Sequence, residues 1–292
     1  MPNYKRQHYL PSAYLKYFST DQEDCSRRSR VWRFDGKELR HVPVVSQCAE
    51  DYFFSRLNPA ETEAKFQLVE KAYCQSVDQI RLKRKLDHRE AGQLFAAMID
   101  LHLRNKAHKN ETGKEGIDAY NQRSRIFLSE ILLTGRNGTV TKKEILEHIL
   151  NHWSLQIVSS PHPSEFLTSD HPSVWTALRP AMHSRPRLHM ITLPLAPNLA
   201  AVAFDKRVIQ VDGDKADHND MQTFNSGQIQ NARRCVYASS QLAIDHLDIL
   251  RNHFSNKKDS SSVVRENSWR LGLQYLPIEH HFSFIKLRPP LL

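Results

Sequence analysis

The strongest constraint on this chain lies in residues 87–108. On a helical wheel Leu94, Phe95, Met98 and Leu101 share one arc, and Ile99 and Leu103 carry the apolar surface round the side. Gln93, Asp100 and Arg104 are left as a narrow polar strip. A helix apolar over so much of its girth must be covered on most sides, so the fold has to be built around it. Phe66, Val69, Tyr73, Val77 and Ile80, at three- and four-residue steps after Asn58-Pro59, give one face of a preceding helix. Two more helices are expected at 116–133 and 141–152, joined by Gly135-Arg136-Asn137-Gly138.

The flanks carry a different period. Two alternating runs, 31–34 and 38–42, surround Asp35-Gly36 and read as a hairpin. After residue 152, short β-tolerant runs at 153–158, 165–168, 188–193 and 199–204 sit between proline-rich turns. A helix over 215–233, a strand at Cys235-Val236-Tyr237 and a helix over 241–253 follow. The chain then passes through the polar stretch 256–262 to a strand-like run at 280–287. There is no internal repeat and no βαβ alternation. The expected class is α+β: an N-terminal β-hairpin, a central bundle of about four helices, then a small, mainly antiparallel sheet. One domain is expected over 1–255, with the hairpin in residues 1–57, the helices in 58–152 and the sheet in 153–255; residues 256–292 form a polar loop and strand-like extension.

Composition excludes several classes. With 292 residues, 40% hydrophobic and 25% charged, this is an ordinary globular chain. Its nine glycines form neither a dinucleotide-binding GxGxxG nor a phosphate-binding P-loop, and there is no GxSxG elbow. No apolar run approaches the ~20 residues that span a bilayer, and the basic start has no apolar core behind it. The four cysteines lie far apart without a CxxC pair, which reads as reduced thiols and a cytoplasmic location. Glu147-His148 and His152 are in the wrong order for HExxH; Asp212, Asp214, Asp217 and Asp220 lack the glycine and glutamate of a calcium loop and read as helix-capping acids. The net charge of +9 favours an anionic partner, with nucleic acid the expected class. No membrane partner is expected, and oligomeric state is not legible.

Three segments put polar groups where the pattern asks for apolar ones. His8, with Gln7, sits in an aromatic and proline-rich opening, where an imidazole serves as general base or is satisfied by a backbone carbonyl. Asp100 and Arg104, at i and i+4, pair on the central helix; His102 lies on its apolar arc, and Glu70 flanks the facing helix. Facing helices would gather Glu70, His102 and Arg104, as a site or as an internal salt-bridge network. In Phe166-Leu167-Thr168-Ser169-Asp170-His171-Pro172 a strand end delivers Ser169, Asp170 and His171 to a sheet rim; the alternative is a turn capped by Asp170.

Gln7-His8-Tyr9-Leu10-Pro11 with Tyr14-Leu15 and Phe18, the helix ending near Leu103-Arg104, the 166–172 segment, Asn225, and Asn231-Ala232-Arg233-Arg234-Cys235-Val236-Tyr237 occur together in one order. In this the chain resembles the bacterial "domain of unknown function 4238" family over roughly residues 3–240. His102 departs from the family pattern, which more often carries glutamine there, and this speaks against catalysis by that imidazole. The resemblance implies a shared architecture and polar pocket; the family's company suggests an antiviral defence effector or toxin.

The leading expectation is a phosphodiester-cleaving hydrolase, a nuclease on RNA or DNA. His8 would act as base or acid, and Arg104 would stabilise the phosphate; Asp170 with Glu70 would orient the histidine or hold a divalent cation such as Mg²⁺ or Mn²⁺. Gln7, Asp100, His102, Ser169 and His171 would line the substrate. The alternatives are a non-catalytic adaptor or ligand-sensing module whose polar residues form a core network, and an enzyme on a small nucleotide.

Overall fold

The computed structural model describes residues 5–21, 28–55, 58–104, 117–118, 120–121, 124, 142–161, 163–178, 190–244, 250–252, 273–276 and 282–288. The N-terminal region forms β1 (Arg6–His8), α1 (Ser12–Leu15), β2 (Arg30–Phe34), β3 (Leu39–Pro43) and β4 (Ala49–Asp51). Helices α2 (Pro59–Arg81), α3 (His88–Leu103) and α4 (Lys142–His152) follow. Then come β5 (Trp153–Ser159), β6 (Thr168–Ser169), β7 (Val174–Leu178), β8 (Met190–Ala196), β9 (Leu199–Asp205) and β10 (Ile209–Val211). The chain continues through α5 (His218–Asn231), β11 (Val236–Ala238), β12 (Leu273–Leu276) and β13 (Ile285–Leu287).

Local chemistry sets these boundaries. In the β2–β3 turn Gly36 takes φ 87°, and Asp35 Oδ1 accepts from the N–H groups of Lys37 and Glu38. Helix α2 starts with Pro59 in its first turn, where a missing N–H costs nothing. Asp87 and Glu90 close a capping box on α3, and Asp217 and Asp220 close one on α5. The acidic run at 212–220 thus ends in a helix cap, as its spacing suggested.

The class is α+β, but the layout is interleaved; the expected order of bundle then sheet does not hold. Strand β2 of the N-terminal hairpin pairs antiparallel with β11, from beyond the helical block, in a sheet ordered β3-β2-β11-β6. A five-stranded sheet runs β12-β7-β8-β9-β5, antiparallel except for the β12–β7 pair. A strand edge left by a hairpin gains ladder bonds from whatever strand reaches it, and period alone does not say which one will. The 256–292 segment contributes β12 to the large sheet and pairs β13 with β10.

Strands β8 and β9 are almost wholly buried, so the large sheet is covered on both faces. Ile191, Leu193, Leu195, Ala201 and Ala203 join the core formed with α1, α2 and α3. The alternate residues Met190, Ala200, Val202 and Phe204 join a second core with Phe166, Phe224, Phe282 and Phe284. Pro194 sits at a register shift in β8, where a central proline is tolerated. Its carbonyl accepts from Tyr14 Oη at 2.8 Å, while that hydroxyl also meets Thr168 Oγ1 at 2.7 Å. No described helix is long and apolar enough to cross a membrane. The 135–138 link, most of the 116–133 helix, the 256–262 stretch and Glu279-His280-His281 lie outside the described residues.

Candidate functional site

Helix α3 is buried from Leu94 through Leu103 apart from Ala96, and its polar side chains leave in two directions. Asp100 and Arg104, one turn apart, face α2. Arg104 is 1% exposed. Its Nη1 donates to Glu70 Oε1 at 2.8 Å, its Nε lies 3.5 Å from Asp100 Oδ2, and its guanidinium carbon stands 3.8 Å over the Phe66 ring. Asp100 Oδ1 accepts from Tyr120 Oη at 2.7 Å. A guanidinium withdrawn from water needs this kind of enclosure, because an unpaired charge there would cost several kcal/mol. Burial works against the Arg104 cation, but the charges of Asp100 and Glu70 outweigh it and raise its pKa. Asp100 is pushed up by burial, which prevails over the neighbouring guanidinium.

His8, on β1, stands at the edge of this cluster and is half-buried. Its Nε2 meets the Val45 carbonyl at 3.2 Å. A carbonyl only accepts, so the neutral ring carries its proton on Nε2 and presents Nδ1 as a base. Burial lowers the His8 pKa, and the charges of Glu70 and Arg104 also act on it. Glu63, seven residues before Glu70 on α2, is raised by burial and then by Glu70. Beside Glu70 and Asp100, a cavity of about 10 Å³ is lined by Tyr14, Val69, Tyr73 and Ala97, room for about one water.

His102 leaves α3 on the other side, because residues two apart on a helix point in nearly opposite directions. Its ring stacks on Trp175, with centroids 3.5 Å apart, and its Nδ1 lies 3.3 Å from Ser173 O and 3.2 Å from His171 Nε2. Since Ser173 O can only accept, Nδ1 carries the proton and His171 Nε2 receives its second branch. Asp170, 5% exposed, accepts from the backbone N–H groups of Arg233 at 2.8 Å and Arg234 at 2.9 Å.

Three amides on α5, at 225, 228 and 231, fasten the strand and turn to that helix. Asn225 accepts from Leu167 N and donates to Glu165 O; Gln228 accepts from Ser169 Oγ and donates to Pro172 O. Asn231 donates to His171 O at 2.6 Å and to Ser173 O at 3.3 Å.

Of the expected residues, His8, Glu70, Asp100 and Arg104 converge, and Ser169, Asp170, His171 and His102 form a separate neighbourhood. Grouping His102 with Glu70 and Arg104 was the wrong face of α3. Gln7, expected to line the substrate, is 1% exposed, and its Oε1 accepts from the N–H groups of Phe54 and Ser55. Sequence reasoning missed Glu63, Tyr120, Trp175 and Gln228. The heptad step from Glu63 to Glu70 and the three-residue step of the α5 amides were the available signals. Among the described residues, no group of three or more His, Cys, Asp or Glu is placed to hold a metal ion.

The N-terminal motif, the α3 terminus, the 166–172 turn and the 231–237 segment thus form one packed framework, and all fall within a single family match. Residues 6–241 match the family described as "Protein of unknown function (DUF4238)", and the chain belongs to that family. No curated protein and no solved structure matches it.

Proposed function

We propose that this protein is a non-catalytic module that binds an anionic partner, with nucleic acid as the partner class, and that its polar motif residues form the framework holding that surface in place. The observation that carries this reading is the distribution of buried charge. Among the described residues Asp100, Asp170, Asp205 and Asp220 are buried, whereas Arg104 is the one buried lysine or arginine. Among the described residues, acids withdrawn in excess of bases shift the exposed charge toward positive, in the same sense as the formal +9 of the whole chain. Arg104 is spent on Glu70 and Asp100, and Asp170 on two backbone N–H groups.

The test is binding to labelled RNA, single-stranded DNA and duplex DNA at salt from about 50 to 200 mM, with Mg²⁺, Mn²⁺ or EDTA. Expected are intact substrates and an affinity that falls steeply with salt. Replacing the exposed Lys83, Arg84 and Lys85 with serine should flatten that slope without lowering stability. Absence of binding at low salt, or cleavage, would overturn the proposal.

A second reading, phosphodiester hydrolysis, is favoured by one feature: the Nδ1 of His8 stands as a base within the electrostatic reach of Glu70 and Arg104. It requires cut products that vanish in His8→Ala while that variant melts like the parent protein.

A further inference from the structure

We propose that Cys48 and Cys235 are an oxidisable pair, closed by a peroxide-class oxidant into a disulfide that ties the segment carrying β1, β4 and His8 to β11. The four cysteines are scattered in sequence, yet the fold brings two of them to one hydroxyl. Cys48 Sγ lies 3.0 Å from Tyr237 Oη, and Cys235 Sγ donates to that same oxygen at 3.1 Å. The sulfurs are therefore separated by no more than the sum of those two distances. Each cysteine is 7% exposed, Tyr237 is 1% exposed, and both thiols are free.

A second observation concerns the backbone. Cys48 has φ 51°, the left-handed region that glycine or asparagine occupies most easily. A cysteine held there keeps its thiol against Tyr237 at a conformational cost, a kind of strain that gathers at functional positions. The same residue anchors β1, because its carbonyl accepts from Tyr9 N at 3.0 Å. Crosslinking it to Cys235 would fix the His8 strand to the sheet built on β2 and β11. By contrast Cys74, on α2, is half-buried and has no thiol beside it among the described residues.

One phenol oxygen bridges the two sulfurs: Cys235 S–H donates to it, and Cys48 Sγ shares a hydrogen bond with it in which either atom can be the donor. The Cys235 thiol is held well above the usual thiol range, first by the neighbouring Cys48 thiol and then by burial. Attack by either sulfur gives the same disulfide, and Cys48 is taken as the first. It gives an electron pair to one peroxide oxygen, the O–O bond breaks, and a sulfenic acid and one water result. Cys235 then attacks the sulfenic sulfur, the S–S bond forms, and the hydroxyl leaves with the Cys235 proton as a second water. Two thiols lose two electrons and two protons; one peroxide gains them. Burial makes the first step slow compared with an exposed low-pKa thiol.

The test uses the full chain, treated with hydrogen peroxide, then alkylated and mapped by mass spectrometry. The expected result is loss of two of the four alkylatable thiols and a Cys48–Cys235 crosslinked peptide, reversed by dithiothreitol. The oxidised protein should melt higher by on the order of 5 °C. Cys74→Ala should behave like the parent protein, and Cys48→Ala and Cys235→Ala should lose both the crosslink and the rise. Retention of both thiols, separate overoxidation of the two sulfurs, or crosslinks between molecules in the parent protein would overturn the proposal, whether or not the variants fold.

Discussion

The two polar neighbourhoods on either side of α3 solve the same problem with different bonds. Toward α2, side chains hold side chains: Arg104 is enclosed by Glu70, Asp100 and the Phe66 ring, and Asp100 by Tyr120. Toward α5, side chains hold backbone: Asp170 takes two N–H groups, Gln228 and Asn231 take carbonyls of the 171–173 turn, and Asn225 clamps 165–167. An ionic cluster fails as a unit when one charge is removed, because the others stay buried without it. A backbone zip loses its bonds one at a time. Stability should therefore respond to mutation in two distinct ways.

The largest effect is expected at Arg104. Arg104→Met keeps apolar volume but leaves two carboxylates enclosed, and urea denaturation should show a loss of about 3–5 kcal/mol. Adding Asp100→Asn should recover some of that loss; strict additivity would mean that the cluster is not coupled. Asp170→Ala comes next, at about 2–3 kcal/mol, since a charged acceptor of two hydrogen bonds disappears. Asp170→Asn should cost roughly half as much, one acceptor oxygen being kept. Gln228→Ala should lose about 1–2 kcal/mol, and combined with Asn231→Ala the losses should add more nearly than those in the ionic cluster.

The smallest effect separates the neighbourhoods by pH. Asp100 has a raised pKa when folded, so its contribution is present below the ordinary carboxylate value and is lost as pH rises through the folded one. His8, lowered by burial, contributes fully above the ordinary imidazole value of about 6.5, and that contribution is lost as pH falls toward its folded value. Stability–pH curves of Asp100→Asn and His8→Asn should each lose the corresponding slope, while Gln228→Ala should shift the parent curve without changing its shape.

Much of the fold was legible where one physical signal acted alone. The helical period set α2 and α3, Asp35-Gly36 set the hairpin, and the four-residue step of Asp100 and Arg104 placed both beside Glu70. What was not legible depended on partners distant in sequence. Nothing local to 31–34 says that its free edge takes β11, and nothing local to β8 says that Pro194 will mark a bulge receiving Tyr14. His102 went to the wrong neighbourhood because an apolar arc that runs nearly round a helix does not rank its faces. Asp170 was legible as chemistry but not by its partners: nothing local to 166–172 says that the N–H groups of 233–234 will reach its carboxylate.

The most direct test is urea unfolding of Asp170→Asn and Arg104→Met alongside the parent protein, with nucleic-acid affinity measured on the folded fraction of each. If these residues are framework, both variants lose stability while the folded protein keeps the parent affinity and salt dependence. Parent-like stability together with abolished binding or turnover would place the same residues in a working site and contradict the account.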